Sequence, residues 1–370
     1  MWGGYGYGNT GDDLVLAVAL ADLREQFGRN LLILSPVPEQ TRSYVNDTPV
    51  ILHPASKPRS AWEKWFWQLT AYAQTGGMNA LANRLYHAAL NHPEWISDET
   101  AWLKAMASAS RLHLAGGGYL TDKFHLRHFL RPLRLAQSRR IPISTSPLGL
   151  GPFQHPRNAA GVANSLRGAK VLVRDEESLQ YCQAHGLNAM ETPDDGFRWQ
   201  RVGALPAALT LNPAKILGIC IFSQHSAKWS AAIEDWWVDC LRSLSRSFSD
   251  FQLEGFCFHT QKEMDYETTR RLFASAGLNP ENVLPPQADY RAAILNLTRY
   301  RGVVSSRFHA VVTASAIRLP CVATALDEYY ESKMRGALKY APVSLSVVNP
   351  ARDSAESPAS WLETRLKPNH

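Results

Sequence analysis

GVVSSRFHAVVTASAI, residues 302–317, is the stretch whose reading decides the fold. Residues 302–305 form a short apolar run suited to a buried parallel strand, and after a polar turn an alanine-rich helical pattern occupies 308–317. A second apolar run follows at 321–324. Strand, polar turn, helix, strand is the repeating unit of a parallel sheet with right-handed crossovers. The same grammar runs upstream: strand 216–222, helix 227–246, strand 253–258 and helix 262–276.

The first half of the chain alternates in the same way. A glycine-rich opening leads into a helical pattern at 14–27 and a β-rich run at 30–35; further strands are expected at 50–53, 112–115, 142–145 and 171–173, with helices between them. Residues 199–213 (WQRVGALPAALTLNP) break the pattern with two prolines and no period, as a linker does. The expected organisation is therefore α/β: two doubly wound domains over 1–200 and 212–345. A tail over 346–370 follows, whose helical segment 357–366 is expected to pack back on the first domain. Ligands of such sheets bind outside the carboxyl ends of the strands, so a cleft between two of them is the expected site.

Composition narrows the class. With 370 residues, 45% hydrophobic and 19% charged, the chain has room for two ordinary cores, and no apolar run reaches the length of a membrane span. The opening residues resemble no signal peptide, so a cytoplasmic location is expected. The five cysteines, Cys182, Cys220, Cys240, Cys257 and Cys321, are widely spaced and read as buried free thiols. A net charge of +6 from scattered residues does not imply nucleic-acid binding, but it favours an anionic substrate or the acidic inner face of a membrane. No compact His, Cys or carboxylate cluster has ligand spacing, so no metal is expected.

Four segments carry chemistry. Residues 3–13, GGYGYGNTGDD, place Asn9, Gly11, Asp12 and Asp13 at a helix start, where backbone N–H groups and the dipole favour anions. Gly6, Gly8 and Gly11 satisfy G-x-G-x-x-G, but no acid ends the next strand, which argues against a dinucleotide site. A purely structural turn is the alternative, with Asp12 and Asp13 as ordinary first-turn acids. Gly116, Gly117 and Gly118 follow a strand and imply close approach of substrate or of another segment, or a tight strand-to-helix turn; Pro147 to Pro152 reads as a stiff loop after another strand. In VRDEES, residues 173–178, the acids suit a helix start whereas Arg174 opposes the dipole, and so faces an anion or an internal salt bridge. Finally, Ser305, Ser306, Arg307, Phe308 and His309 gather hydroxyls, a guanidinium, an imidazole and free N–H groups at one helix start, a set suited to phosphate or carboxylate.

Taken in order, GYGNTGDD, GGGYLTD, VRDEES and SSRFHA resemble the polysaccharide pyruvyltransferase family, accompanied by TPDDGF at 192–197 and the Lys333 region. The resemblance spans about residues 3–340. It implies two Rossmann-like domains facing across a cleft as in GT-B glycosyltransferases, and transfer of the pyruvyl group of phosphoenolpyruvate to a saccharide diol as a ketal, in cell-surface or exopolysaccharide biosynthesis. Phosphoenolpyruvate is then a co-substrate and no cofactor is needed. By motif position its binding residues fall on Arg174, Arg307 and His309, and substrate contacts are expected from Ser306, Phe308, Asn9, Gly11, Gly117, Gly118 and Lys333. One departure stands out: only Met1 and Trp2 precede Gly3, so the strand that usually leads into the glycine turn is expected to be missing, either because the start is truncated or because the first sheet lacks it.

Ketal formation requires an acid, a base and an anion clamp. His309 is expected to be the acid, or the charge partner of the departing phosphate, and Asp12 the base; Arg174 and Arg307 form the clamp. The acceptor in this family is often lipid-linked, so transient inner-membrane contact is compatible with the reading. Trp62, Trp65, Phe66 and Trp67 on an expected helix suit a membrane surface, a sugar ring or the core. A GT-B glycosyltransferase using a nucleotide sugar and a non-catalytic glycan-binding module are the competing readings.

Overall fold

The computed structural model describes residues 1–45, 47–52, 65, 69, 81, 84–85, 100–124, 126–203, 214–223, 229–287, 289–343 and 345–367. Of the aromatic cluster, Trp62, Phe66 and Trp67 lie outside these residues, as does most of the expected linker. The chain divides into two units, Met1–Tyr7 with Val15–Thr192, and Gly8–Leu14 with Pro193–His370.

Helix α1 (Thr10–Phe27) opens the chain, with its first turn counted in the second unit. The first unit continues with β1 (Ile33–Ser35), α2 (Pro38–Val45), β2 (Val50–Leu52), α3 (Thr100–Ser108), β3 (Leu112–Leu114), β4 (Gly117–Leu120), α4 (Leu126–Ser138), β5 (Ile143–Thr145), β6 (Leu148–Leu150), α5 (Pro156–Leu166), β7 (Val171–Val173), α6 (Glu176–Ala184) and β8 (Ala189–Glu191). Its pairings are all parallel: β1 with β2, β3 with β5, β4 with β6, β6 with β7, and β7 with β8.

The strand expected to be missing is present in miniature. Trp2 bridges Leu114 in parallel, Trp2 N–H donates to His113 O, Ala115 N–H to Trp2 O, and Leu34 N–H to Met1 O. Met1 and Trp2 thus fill the place between β1 and β3. The resulting order is β2, β1, Met1–Trp2, β3, β5, β7, β8, which is the doubly wound dinucleotide-fold order extended by one strand. The indole of Trp2 is fully buried and meets Phe129 edge-on at 6.0 Å, which anchors so short a segment.

The two glycine and proline stretches read as loops are strands here. Gly117 and Gly118 lie in β4, and Leu148 to Leu150 form β6, so these segments continue β3 and β5 across short breaks. Burial explains it: a Cβ on Gly116 would stand 2.8 Å from Pro147 O, and only glycine lets the neighbouring backbones come that close.

The second unit begins with a 3-10 segment, Asp195–Val202, and runs through β9 (Ile216–Cys220), α7 (Ala231–Ser247), β10 (Gln252–Gly255), α8 (Tyr266–Ser275), α9 (Tyr290–Leu297), β11 (Gly302–Ser305), α10 (Phe308–Ala316), β12 (Cys321–Thr324), α11 (Glu328–Leu338), β13 (Leu345–Val348) and α12 (Ser357–Leu366). Its five-stranded parallel sheet has the order β10-β9-β11-β12-β13. Two placements differ from expectation. Residues 193–200 belong with the second unit, because Gly196 packs on Val312 of α10. The terminal helix α12 packs on the second core rather than back on the first domain: Ala359 and Leu362 are buried there, and Trp236 Nε1–H donates to Asp353 O at 2.8 Å. The five cysteines are free and buried. No described helix is long and apolar enough to cross a membrane.

Candidate active site

In the second sheet β9 lies between β10 and β11, with the chain order of strands reversing there; this is the flavodoxin-like 2-1-3-4-5 arrangement, whose switch point falls between β9 and β11. The residues that leave those two strands are Phe222 and the run Ser306, Arg307, Phe308, His309. Ser306 is used internally, its Oγ accepting from Phe222 N–H at 2.7 Å and so joining the two strand ends. Arg307 stands in extended conformation at the N-cap of α10 without a side-chain cap bond. The first N–H groups of α10 therefore have no side-chain acceptor from their own cap, the usual condition for an anion site at a helix start.

His309 is buried and bracketed by acids. Its Nδ1 lies 3.5 Å from Asp12 Oδ1, and its Nε2 lies 3.7 Å from Asp194 Oδ1. Nε2 has no hydrogen-bond partner among the described residues. Asp12 is brought there by a local device: the segment before it pairs with 258–260, Thr10 N–H donating to Phe258 O at 3.1 Å and Thr260 N–H to Gly8 O at 2.8 Å. Asn9 Oδ1 then accepts from Gly11 N–H at 3.1 Å, starting the helix. Gly11 is held so close to the imidazole that a Cβ would lie 2.2 Å from His309 Cβ. That glycine is an approach, not a hinge.

The other acid, Asp194, is fixed by accepting from Gly196 N–H at 2.8 Å. The motif TPDDGF therefore delivers a buried carboxylate to the second face of the ring, a role its sequence did not reveal.

Arg307 is oriented by groups that the sequence reading also missed. Its Nε–H donates to Asp265 Oδ1 at 2.7 Å, and its Cζ stacks 3.6 Å from the Phe222 ring centroid. Asp265 is fully buried. Lys333 on α11 places its Nζ 4.5 Å from the ring centroid of Phe308, which in turn meets His309 edge-on at 5.0 Å. Burial pushes the Tyr330 phenol up, with Asp327 adding to the shift and Arg307 opposing it. The Cys220 thiol is driven well above its ordinary value, first by burial and then by Asp265.

Asn9, Gly11, Asp12, Ser306, Arg307, Phe308, His309 and Lys333 thus belong to the second unit; Arg174, Gly117 and Gly118 belong to the first. Arg174 is 1% exposed, its Nε is 4.0 Å from Asp175 Oδ2, and its guanidinium lies across Gly149, where a Cβ would be 3.0 Å from Nη2. The rest of VRDEES is structural: Asp175 Oδ1 caps α6 by accepting from Ser178 N–H, and Ser178 Oγ accepts from Leu150 N–H, each at 2.8 Å. In GGGYLTD, Asp122 accepts from the N–H groups of Gln154 and His155 ahead of α5. Among the described residues no group of His, Cys, Asp and Glu is arranged to hold a metal.

Two Rossmann-like units, each built on parallel strands, define a GT-B-like fold class. The chain belongs to the polysaccharide pyruvyl transferase family, whose model matches residues 9–328. Solved structures agree on the fold. The UDP-GlcNAc 2-epimerase of Methanocaldococcus jannaschii in complex with UDP-GlcNAc and UDP is 10% identical with a TM-score of 0.56, covering 100% of this chain and 92% of its own. The Neisseria meningitidis UDP-GlcNAc 2-epimerase bound to UDP-GlcNAc is 10% identical with a TM-score of 0.54, over 99% and 90% of the two chains. A glycosyltransferase from Rickettsia africae is 10% identical with a TM-score of 0.52, over 99% and 87%. No curated protein sequence matches the chain significantly.

Proposed function

We propose that the chain transfers the pyruvyl group of phosphoenolpyruvate to two hydroxyls of a saccharide, releasing phosphate and leaving a cyclic ketal. The observation that carries this reading is the buried His309 ring set between Asp12 and Asp194 at the start of α10, beside a guanidinium already oriented at the switch point. Within a pyruvyl transferase family such a group supplies the proton handling and the charge that the reaction demands.

The bond changes balance as follows. A proton adds to C3 of the enol, C2 becomes electrophilic, one hydroxyl oxygen bonds to C2, the C2–O bond to phosphate breaks, and the second hydroxyl closes the ring. Two hydroxyl protons are released; one equals the proton consumed at C3 and the other leaves with phosphate. In this scheme His309 is the acid, and Asp12, whose carboxylate faces its Nδ1, accepts a proton through the ring or from the hydroxyl. Arg307 and the first turn of α10 take the anionic donor, with Asn9 and Lys333 of the same unit as further contacts. The acceptor is a saccharide, lipid-linked acceptors included, handled in the cytoplasm with transient contact at the inner membrane, and no cofactor takes part.

A nucleotide-sugar donor is the second reading, since the M. jannaschii and N. meningitidis structures hold UDP-GlcNAc; at 10% identity they speak for the fold alone. Phosphate release from phosphoenolpyruvate, measured with and without candidate saccharides, separates the two. The expected result is release that needs both substrates. Turnover of a UDP-sugar with none of phosphoenolpyruvate across the same acceptors would reverse the assignment. His309→Ala should lower kcat by roughly 10²- to 10⁴-fold with only a small change in donor binding.

A further inference from the structure

Arginine 307 has two hydrogen-bonding edges, and the structure commits one of them. The edge formed by Nε and Nη2 faces Asp265: Nε–H donates to Oδ1 at 2.7 Å, while Nη2 lies 2.5 Å from the same oxygen without the alignment of a hydrogen bond. The remaining end, Nη1 with the outer hydrogen of Nη2, receives no protein acceptor among the described residues. Phe222 covers one face of the guanidinium at 3.6 Å, so the group can neither swing nor tilt freely.

Asp265 is itself over-determined. It is fully buried, its Oδ2 accepts from Phe258 N–H at 2.8 Å, and the Cys220 thiol faces the same oxygen at 3.8 Å. One carboxylate therefore references the arginine to the ends of β9, β10 and β11 together. A buried ion pair contributes little net stability, because desolvation offsets the attraction. Its location at the switch point calls for another reason, and fixed orientation of an anion-binding fork is the one the geometry supplies.

We propose that Asp265 is a positioning residue: by holding Arg307 on its Nε edge it presents the Nη1–Nη2 end to the carboxylate or phosphate of the donor. This rests on the phosphoenolpyruvate reading given above. Asp265 also cancels much of the arginine's charge, so the contribution to donor binding is one of direction more than of attraction, and it acts through Arg307 rather than on the substrate.

The test is a double-mutant cycle in the full chain, read as KM for phosphoenolpyruvate and for the saccharide. Asp265→Asn keeps the shape but cannot serve both Arg307 Nε–H and Phe258 N–H as acceptor. It should raise donor KM by about 10-fold or more and leave acceptor KM within about 2-fold. In an Arg307→Lys background the same change should add less than about 3-fold, since the fork it serves is already gone. An unchanged donor KM, equal losses for both substrates, or a full multiplicative effect in the lysine background overturns the proposal. Should Asp265→Asn fail to fold, Asp265→Glu keeps the charge but displaces the carboxylate by one methylene from Arg307 Nε and Phe258 N–H; the same donor-selective rise is expected, and its absence is equally fatal. If the wild-type chain releases no phosphate from phosphoenolpyruvate with any saccharide, the donor reading itself falls and this inference with it; active wild type with indifferent variants sinks only the role of Asp265.

Discussion

Replacing Gly11 by alanine adds one methyl group at the point where α1 starts against α10. On the unaltered backbone that carbon would lie 2.2 Å from His309 Cβ, 2.5 Å from Cγ and 2.5 Å from Nδ1. Ordinary carbon contacts begin near 3.4 Å, so the helix start and the imidazole must separate by more than 1 Å. The backbone itself cannot absorb this cheaply, because Thr10 is tied to Phe258 O by both its N–H and its hydroxyl. The strain of such overpacking is about 1–3 kcal/mol. For a unit of this size that amounts to a fall in Tm of roughly 2–4 °C per kcal/mol, which calorimetry detects.

Its effect on turnover should be larger than its effect on stability. Displacing a proton-transfer group by about 1 Å costs on the order of 10²-fold in rate, and here the displaced ring also loses its spacing to Asp12 and Asp194. The assay is phosphate release from phosphoenolpyruvate with a saccharide acceptor at saturating substrates. Gly161→Ala serves as the companion: inside α5, its new Cβ would meet nothing nearer than Arg134 Nη2 at 3.5 Å. Retention by Gly11→Ala of a kcat within about 3-fold of wild type would show that the contact carries no functional constraint.

Gly161→Ala itself should stabilise the first unit by about 0.5–1 kcal/mol, since a helix interior favours alanine over glycine; an unchanged or lowered Tm refutes it. Leu362→Ala should destabilise the second unit by about 2–4 kcal/mol, because the side chain is fully buried in that core, while kcat at a permissive temperature stays near wild type; a Tm within 1 °C would show that α12 is not docked there. Burial lowers the His113 pKa to about 3, so the unfolded chain takes up the proton first: the stability its neutral ring contributes is present in full above about pH 6.5 and is lost as the pH falls towards 3. Partial exposure of the ring reduces the ceiling of roughly 5 kcal/mol to about 2 kcal/mol, and His113→Gln should flatten the slope of Tm against pH over that window if this ring is its source.

Much of this architecture is legible in the residues, for reasons that also say where legibility stops. Strands buried on both faces read as continuous apolar runs; Val171–Val173, Gly302–Ser305 and Cys321–Thr324 are expected and observed with the same limits. Met1–Trp2 is too short to show any period, and its strand character comes wholly from partners at Leu34, His113 and Ala115. The glycine run after β3 looks like a turn because glycine usually marks one, yet here the lack of a side chain lets packed backbones approach. β13, whose four residues follow Pro342 and Ser344, has no alternation to separate it from a loop, and its strand pairing with β12 comes from tertiary contact.

The same division runs through the candidate site. Arg307 and His309 are conspicuous because a cation and an imidazole begin an apolar helix. Their partners are not: Asp194 sits in a pair of acids before a glycine, and Asp265 lies in TQKEMDYETT, a largely polar stretch that suggests a solvated surface. A carboxylate in such a stretch becomes 0% exposed only because the backbone N–H of Phe258 and the guanidinium of Arg307 compensate the lost water. Sequence thus exposes groups whose chemistry is unusual for their local setting, and hides those whose setting is made by distant segments. The functional consequence is specific. Each conspicuous group here faces an inconspicuous carboxylate, so substitutions at Asp194 and Asp265 should mimic the loss of His309 and Arg307 respectively: the first through kcat, the second through donor KM. Reversal of that pairing in a kinetic comparison of the four variants would mean that the geometry of bonds and ring contacts around these residues does not set their roles.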